Sequence, residues 1–424
     1  MNVCIYPQPL AGRVDRVISS KSQAHRLLIC AALAESPTVL ERVGLSADVA
    51  ATVRCLRTMG ARIEQDENEL RVAPPAMWTG GELDCGESGS TLRFLLPVAA
   101  SLGLDCLFTG QGKLAQRPLS PLYEELCAHG VRLSPQGAFP LRCAGALRPG
   151  RFTLAGNVSS QFISGLLMAL PRLPGDSEIA VQGQLESRPY IDMTLDALKA
   201  FGVSATETGT GFRIPGGQRF RSPGRLATEG DWSGAAFWLA AGALSPEGVF
   251  CGGLNRRSFQ GDRAIVSLLR RFGAVVEETA DTVFVRYAPM EGVELDAADI
   301  PDLVPVLAVV AAAARGETRI RHIARLRLKE SDRVMSVLAL LHSLGMQAEE
   351  GEDTLYIHGT GKIRGGRVDA FRDHRIVLAA AVAASAAAEP VRILGAEAVN
   401  KSYPGFFEQF AALGGRVQEE NNAV

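Results

Sequence analysis

The stretch Leu56-Arg57-Thr58-Met59-Gly60-Ala61-Arg62-Ile63-Glu64 reads as a helix end, a turn and a strand start. Gly60 supplies the left-handed residue that stops the helix, and the alternation after it suits a half-buried strand. The same phrase returns at 126–130, 198–202, 269–273 and 341–345, and at 410–414 with Phe in place of Leu. Its glycines, Gly60, Gly130, Gly202, Gly273, Gly345 and Gly414, stand 69 to 72 residues apart. One such glycine is routine. Six at a near-constant interval across the chain are an internal repeat.

A second phrase keeps the same period: a polar cluster, then a very apolar helix. The clusters are Ser19-Ser20-Lys21, Gly86-Glu87-Ser88-Gly89-Ser90-Thr91, Val158-Ser159-Ser160-Gln161, Gly230-Asp231-Trp232-Ser233, Ile300-Pro301-Asp302 and Arg372-Asp373-His374-Arg375. Helices apolar nearly all round belong in the middle of a domain. The other helix of each repeat, ahead of its capping glycine, is amphipathic. The spacing therefore predicts an α/β chain of two domains, each with three repeats around buried helices. Repeats in like orientation aim three buried helix N-termini at one face of each domain. If the two faces meet, six positive helix ends point into one cleft, which attracts anions. Lys21, Arg26, Arg93, Arg117, Arg188, Arg333, Arg375 and Lys401 lie in or near these clusters. Such a concentration selects a small polyanion, whereas most Lys and Arg are dispersed surface charges.

Composition narrows the partners. The chain has 424 residues, 47% hydrophobic and 21% charged, with a net charge of −2. No global field favours nucleic acid. The eight cysteines, Cys4, Cys30, Cys55, Cys85, Cys106, Cys127, Cys143 and Cys251, form no C-x-x-C pair and read as reduced thiols of a cytoplasmic protein. The six histidines have no metal-ligand spacing, so no metal is expected. No signal peptide is visible. The longest small-apolar run, 376–388, is too short to cross a membrane and reads as a buried helix.

Residues 325–333, Arg-Leu-Arg-Leu-Lys-Glu-Ser-Asp-Arg, concentrate charge at one place. Leu326 and Leu328 alternate with Arg325 and Arg327, as at a strand end. Val334, Val337, Leu338 and Leu341 then follow helical spacing from about Ser331. A helix that reached back to Lys329 would put Lys329 and Arg333 on one face, and Glu330 beside Arg333. A carboxyl between two cations at a helix start suits anion binding with proton transfer beside it.

Nine phrases then resemble one family in order along nearly the whole chain. They are Lys21-Ser22-x-x-x-Arg26, Gly89-Ser90-Thr91-x-Arg93, Gln116-Arg117-Pro118-Leu119, Ser159-Ser160-Gln161-Phe162, Arg188-Pro189-Tyr190-Ile191-Asp192, Ile300-Pro301-Asp302, Lys329-Glu330-Ser331-Asp332-Arg333, Asp373-His374-Arg375 and Lys401-Ser402-Tyr403-Pro404. Together they look like the 5-enolpyruvylshikimate-3-phosphate synthases. The resemblance implies an inverse α/β barrel in each of two domains, with three βαβαββ units apiece. Domain one would be 1–19 plus 229–424 and domain two 20–228, with the active site in the cleft between them and closure on binding. The implied reaction moves the enolpyruvyl group of phosphoenolpyruvate to the 5-hydroxyl of shikimate 3-phosphate and releases phosphate. No cofactor, nucleic acid or membrane is implied, and a cytoplasmic monomer is expected.

The resemblance also implies roles. Ser159 and Ser160, with Ser187, hold the shikimate phosphate, and Ser22, Arg26 and Tyr190 lie at its carboxylate and ring. Gln161 touches both substrates. Arg333 and Arg375 clamp the phosphoenolpyruvate carboxylate; Lys21, Arg117, Lys401 and the backbone at Gly89 hold its phosphate. Asp302 is the candidate base at the 5-hydroxyl and Glu330 the candidate acid at the enol carbon. Lys329 orients the shikimate hydroxyl, Lys21 stabilises the leaving phosphate and His374 supports Glu330. For Asp302, a helix N-cap after Pro301 is the plain alternative.

Two positions depart from the family pattern: Glu87 and Arg325 stand where Asn is common. The nearest rival is the sister enzyme acting on UDP-N-acetylglucosamine, which commonly has Cys in the loop matching 110–119. None is present here. A non-catalytic anion-binding relative would need the cations but not the acid–base set.

Overall fold

This computed structural model describes residues 1–66, 68–137 and 139–420. Among them the α-helices are α1 (Lys21–Leu33), α2 (Ala47–Thr58), α3 (Gly89–Ser101), α4 (Leu122–Ala128), α5 (Ser160–Ala169), α6 (Arg188–Ala200), α7 (Trp232–Ala243), α8 (Ile265–Phe272), α9 (Val304–Ala313), α10 (Arg333–Ser343), α11 (His374–Ser385) and α12 (Phe406–Ala412). The odd-numbered helices are the apolar ones and are buried along most of their length. The even-numbered helices each end at a repeat glycine.

Those six glycines all have positive φ, from +71° to +113°. Beside each, the amide of the following residue donates to the carbonyl five positions back: Ala61 to Leu56, Val131 to Leu126, Val203 to Leu198, Ala274 to Leu269, Met346 to Leu341 and Gly415 to Phe410, at 2.9–3.0 Å. The large residue of the phrase thus has two jobs. Its carbonyl closes the helix end and its side chain is buried in the core. Full burial of each such side chain is worth about 1.5–3 kcal/mol.

Every repeat makes one four-stranded sheet in which the strands lie in the order first, second, fourth, third. In residues 81–144, Gly81–Asp84 runs parallel to Cys106–Thr109, with buried α3 as the crossover. Leu141–Ala144 and then Arg132–Leu133 add antiparallel. Three sheets are completed from a distance. Arg225–Ala227 is the first strand beside Thr38–Glu41 in the repeat of α1. Gly12–Val14 is the first strand beside Val249–Gly252 in the repeat of α7. Asn2–Tyr6 lies between Val391–Leu394 and Arg416–Glu420 in the repeat of α11.

The chain divides into two compact units. Unit one is Met1–Ile18 with the chain from Glu229 onward, and unit two is Ser19–Thr228. Each has its own apolar core. In unit one α7, α9 and α11 pack on one another; Trp238 stacks on Phe406, and its Nε1 donates to Tyr403 Oη at 2.8 Å. In unit two α3 and α5 approach closely at Gly165. A Cβ there would lie 2.4 Å from the Arg93 carbonyl oxygen and 2.9 Å from Pro97 Cγ. Glycine is what lets these two backbones meet.

Three local readings are corrected. Residues Ala324–Leu328 form a 3-10 turn, not a strand end, with Arg325 buried and Leu328 exposed. Helix α10 begins at Arg333, capped by Asp332, whose side chain accepts from Met335 N at 3.2 Å. Lys329 therefore precedes the helix and shares no helical face with Arg333. Asp302 is also not the N-cap of α9. Leu303 takes that place without a side-chain bond, whereas Ser20, Ser88, Ser159, Asp231 and Asp373 each cap their buried helix through the side chain. The Asp302 carboxylate is used elsewhere.

Candidate active site

In unit one the turn at 324–332 and the starts of α9, α10 and α11 bring three cations and three carboxylates together. Arg333 is fully buried at the first position of α10. Its Nε donates to Asp373 Oδ2 at 2.8 Å, its Nη1 to Asp302 Oδ1 at 2.6 Å and its Nη2 to Glu330 Oε2 at 2.7 Å. Arg375 Nη2 donates to Asp302 Oδ2 at 2.8 Å, and its Nη1 to the Asp302 carbonyl at 3.1 Å. Lys329 Nζ lies 3.7 Å from Asp302 Oδ1. Asp373 accepts from Ser331 Oγ at 3.0 Å and from the Arg375 amide at 3.0 Å. His374 is buried with Nδ1 3.9 Å from Asp373 Oδ1.

The charges perturb one another. Burial works against the Asp302 carboxylate, but Arg375, Lys329 and Arg333 overcome it and hold its pKa well below the usual range. Burial likewise opposes ionisation of Asp373; Arg333 outweighs it and keeps the pKa low. Burial pulls Lys329 down to about 8, against the opposing pull of Asp302. Arg333 has its pKa raised despite burial by Asp373, Glu330 and Asp302. Of the expected residues, Asp302, Lys329, Glu330, Arg333, His374 and Arg375 thus form one cluster. Lys401, also in unit one, donates from Nζ to the carbonyl of Arg372 at 2.8 Å. Arg372 and its neighbour Phe371 both hold positive φ, which turns that carbonyl toward the lysine.

Unit two carries the rest. Lys21 opens α1 and pairs with Asp48 Oδ2 at 2.8 Å. Arg117 lies against Gly89: a Cβ on that glycine would be 2.6 Å from Arg117 Nη1. Gln161 is held by both ends, with Oε1 accepting from Arg93 Nη1 at 2.8 Å and Nε2 donating to Ser90 Oγ at 2.9 Å. Ser159 caps α5, and Ser160 is the next, buried residue. Ser187 precedes α6 in a left-handed conformation, φ +54°, and is buried.

Arg26 is occupied structurally. Its Nη1 donates to the Ser22 carbonyl at 2.6 Å, its Nε to Thr194 Oγ1 at 2.7 Å, and its Nη2 to the Tyr190 carbonyl at 2.8 Å and Ser164 Oγ at 3.3 Å. A guanidinium has five N–H groups, so these contacts leave one for a ligand. Arg188 is likewise engaged, by Asp192 and a fork to Glu207. Beneath Lys21 a buried chain runs from His25 Nδ1 through Thr52 and Thr91 to Ser88, in steps of 2.7, 2.7 and 2.8 Å. Burial, then Lys21 and Arg26, keep that imidazole neutral. The chain ties the starts of α1 and α3 to α2. The Glu87 side chain lies over Gly112, and Arg325 is buried in its turn.

Several of these partners escaped sequence reading: Asp373, Ser331, Asp48, Thr194 and Ser164. Asp373 was within reach, since it directly precedes His374 and Arg375. Ser331 lies inside a quoted phrase without a role assigned there, and Asp48, Thr194 and Ser164 lie 27, 168 and 138 positions from the Lys21 and Arg26 they serve and carry no local signal.

An apolar three-helix centre in each of two units, with charged helix starts, is the fold of the enolpyruvyl transferases. An EPSP synthase from Acinetobacter baumannii superposes with a TM-score of 0.82, covering 99% of this chain and 100% of that one at 24% identity. The enolpyruvyl transferase NikO from Streptomyces tendae superposes at 0.79, with 98% of each chain covered and 18% identity. Sequence is more specific. Residues 5–410 match the model of the EPSP synthase (3-phosphoshikimate 1-carboxyvinyltransferase) family. The 3-phosphoshikimate 1-carboxyvinyltransferase of Clostridium kluyveri is 42% identical over 423 residues, and that of Clostridium acetobutylicum 41% over 425, each covering 98% of both chains. The chain belongs to the EPSP synthase family. Among its described residues no helix is long and apolar enough to cross a membrane.

Proposed function

We infer that the chain transfers the enolpyruvyl group of phosphoenolpyruvate to the 5-hydroxyl of shikimate 3-phosphate and releases inorganic phosphate. The observation that carries this reading is the set of buried Arg333 and Arg375 with half-buried Asp302, Lys329 and Glu330, at the positions of the family's motifs. Both substrates are phosphorylated carboxylates, which suits charged helix starts in both units. In this proposal Lys21, Ser22, Arg26, Ser159, Ser160, Gln161, Ser187 and Tyr190 of unit two serve shikimate 3-phosphate. Lys21, Gly89 and Arg117 of unit two and Lys401 of unit one serve the phosphate of phosphoenolpyruvate. Arg333 and Arg375 take its carboxylate. We further propose a cytoplasmic monomer that acts on neither nucleic acid nor membrane.

The ion pairs supply a mechanism. Arg333 and Arg375 both grip Asp302. A carboxylate held so firmly is a poor base. The substrate carboxylate offers the same two guanidinia a matching pair of oxygens. When it binds, Asp302 loses part of its charge support and its pKa rises toward the ordinary range. Asp302 then takes the proton of the 5-hydroxyl as that oxygen attacks C2. Glu330, released from Arg333 in the same exchange, takes a proton from solvent and delivers it to C3. The tetrahedral intermediate collapses as Glu330 recovers a proton from the C3 methyl and the C2–O bond to phosphate breaks. The hydroxyl proton leaves with the phosphate, whose charge Lys21 compensates. Lys329 holds the acceptor hydroxyl. The test is phosphate release from wild type and Asp302→Ala. Release that needs both substrates and collapses in the variant is expected; release unchanged by the substitution would refute the assignment of the base.

A further inference from the structure

Arg327, in the 3-10 turn Ala324–Leu328, is exposed and stands just ahead of Lys329 and Glu330 in the chain. Its guanidinium is a fork between two carboxylates. Nη1 donates to Asp332 Oδ2 at 2.7 Å, and Nη2 donates to Glu350 Oε1. Asp332 is the N-cap of α10, and it caps with its other oxygen, Oδ1. Glu350 ends the strand Gln347–Glu350, which pairs antiparallel with Thr354–Thr360. The tip of that hairpin also holds the entry to the turn. The Ala324 amide donates to Asp353 Oδ1 at 2.9 Å, and the His322 amide to the Asp353 carbonyl at 3.0 Å. The turn is thus fastened to one hairpin at both ends, by Asp353 on the way in and by Arg327 and Glu350 on the way out.

The pair of Arg327 with Asp332 closes a short loop of chain that contains Leu328, Lys329, Glu330 and Ser331. Closing such a loop removes backbone freedom. Exposed ion pairs add little to stability, so the consequence is placement. On its inner side the same segment meets the charged cluster: Lys329 Nζ lies 3.7 Å from Asp302 Oδ1, Glu330 accepts from Arg333, and Ser331 Oγ donates to Asp373. The exchange at Arg333 disturbs this inner set, because Glu330 and Asp302 both yield a guanidinium contact to the substrate carboxylate. Arg327 takes no part in that exchange. We propose that Arg327 is a positioning residue for Lys329 and Glu330: its fork to Asp332 and Glu350 fixes the segment that carries them while Arg333 changes partners. The proposal rests on Glu330 as the acid and on Lys329 as the holder of the acceptor hydroxyl. Arg333 and Arg375 stand on α10 and α11, and Asp332 caps α10 through Oδ1 with or without Arg327. The site for the phosphoenolpyruvate carboxylate therefore does not depend on the fork.

The test is the steady-state kinetics of Arg327→Met, which keeps an unbranched side chain and removes its donors. kcat should fall about tenfold and KM for shikimate 3-phosphate should rise severalfold, because a small misplacement of reacting groups is costly. KM for phosphoenolpyruvate should stay within about twofold of wild type, and Tm within about 2 °C. A fork that served stability alone would lower Tm and the active fraction and leave both KM values where they were. That pattern overturns the proposal, as does an unchanged kcat. Arg327→Lys keeps the charge without the fork and should recover only part of the loss; full recovery overturns the fork. Glu350→Gln weakens one arm, and its loss should not add to that of Arg327→Met in the double variant. Additive losses overturn the proposal, because the two residues would then act separately. If Arg327→Met does not fold, Glu350→Gln carries the same kinetic test. Glu330→Gln separates the underlying assumption. Unchanged kcat there overturns the acid role of Glu330 itself, whereas a large loss there with normal kinetics in Arg327→Met overturns only the role of Arg327.

Discussion

Asp302→Asn should tighten phosphoenolpyruvate binding while it abolishes turnover. Asp302 accepts one guanidinium hydrogen bond from Arg333 at 2.6 Å and one from Arg375 at 2.8 Å. Charge-assisted bonds of this kind are worth about 1.5–3 kcal/mol each. The substrate carboxylate must displace them, so Asp302 acts as an internal competitor. Asparagine keeps one carbonyl acceptor and loses the charge and the second acceptor. About one contact's worth of competition disappears, roughly 1.5 kcal/mol, or a tenfold lower Kd. Loss of the base should lower kcat by about 10²–10⁴. Calorimetric titration of phosphoenolpyruvate with shikimate 3-phosphate present gives the first number, and phosphate release the second. A folded Asn variant whose Kd is unchanged or weaker would refute the exchange mechanism, because removal of a competitor cannot weaken the ligand it competes with.

Other consequences follow from the same contacts. Burial sets Lys329 at about 8, so kcat/KM for shikimate 3-phosphate should fall as pH rises past that value. Lys329→Arg should carry the fall to higher pH, because a guanidinium keeps its proton; a limb that does not move would assign it to another group. Gly165→Ala would place a Cβ 2.4 Å from the Arg93 carbonyl. The overpacking should cost about 1–3 kcal/mol and lower Tm by several degrees, read by calorimetry. Arg26→Lys should lose most of four hydrogen bonds joining α1, α5 and α6. We expect a drop of about 2–4 kcal/mol in urea unfolding, with the Tm loss larger than that of Arg117→Lys.

The fold was legible because its punctuation is local. A glycine after a helix can act only through its own φ, so six glycines at one interval report six helix ends without any knowledge of packing. The buried helices were legible because they are apolar on every side. Residues 325–328 were misread because four residues of Leu–Arg alternation do not separate a strand from a tight turn. Their burial runs against the pattern: Arg325 is buried, and Leu328 is 39% exposed. At the candidate site, residue types were legible and partnerships were not. Nothing in the sequence near Asp302 says that its carboxylate faces Arg333 and Arg375, 31 and 73 positions away. Nothing near Arg26 says that Thr194 and Ser164 will consume its donors. Pairing of this kind depends on how helices from different repeats meet.

The balance of charge in unit one explains why such partnerships matter. Bare cations at this place would take any small anion, and inorganic phosphate is one of the products. Instead Lys329, Arg333 and Arg375 are matched by Asp302, Glu330 and Asp373. An anion gains nothing there unless it can replace a carboxylate contact with one as good. A planar carboxylate can do so bidentately, whereas a tetrahedral phosphate fits the fork aimed at Asp302 less well. Self-neutralisation therefore lowers affinity for every anion and favours the one shaped like the carboxylate it displaces. The same displacement frees Asp302 to act as a base, so selection of the donor and activation of the base would be a single event.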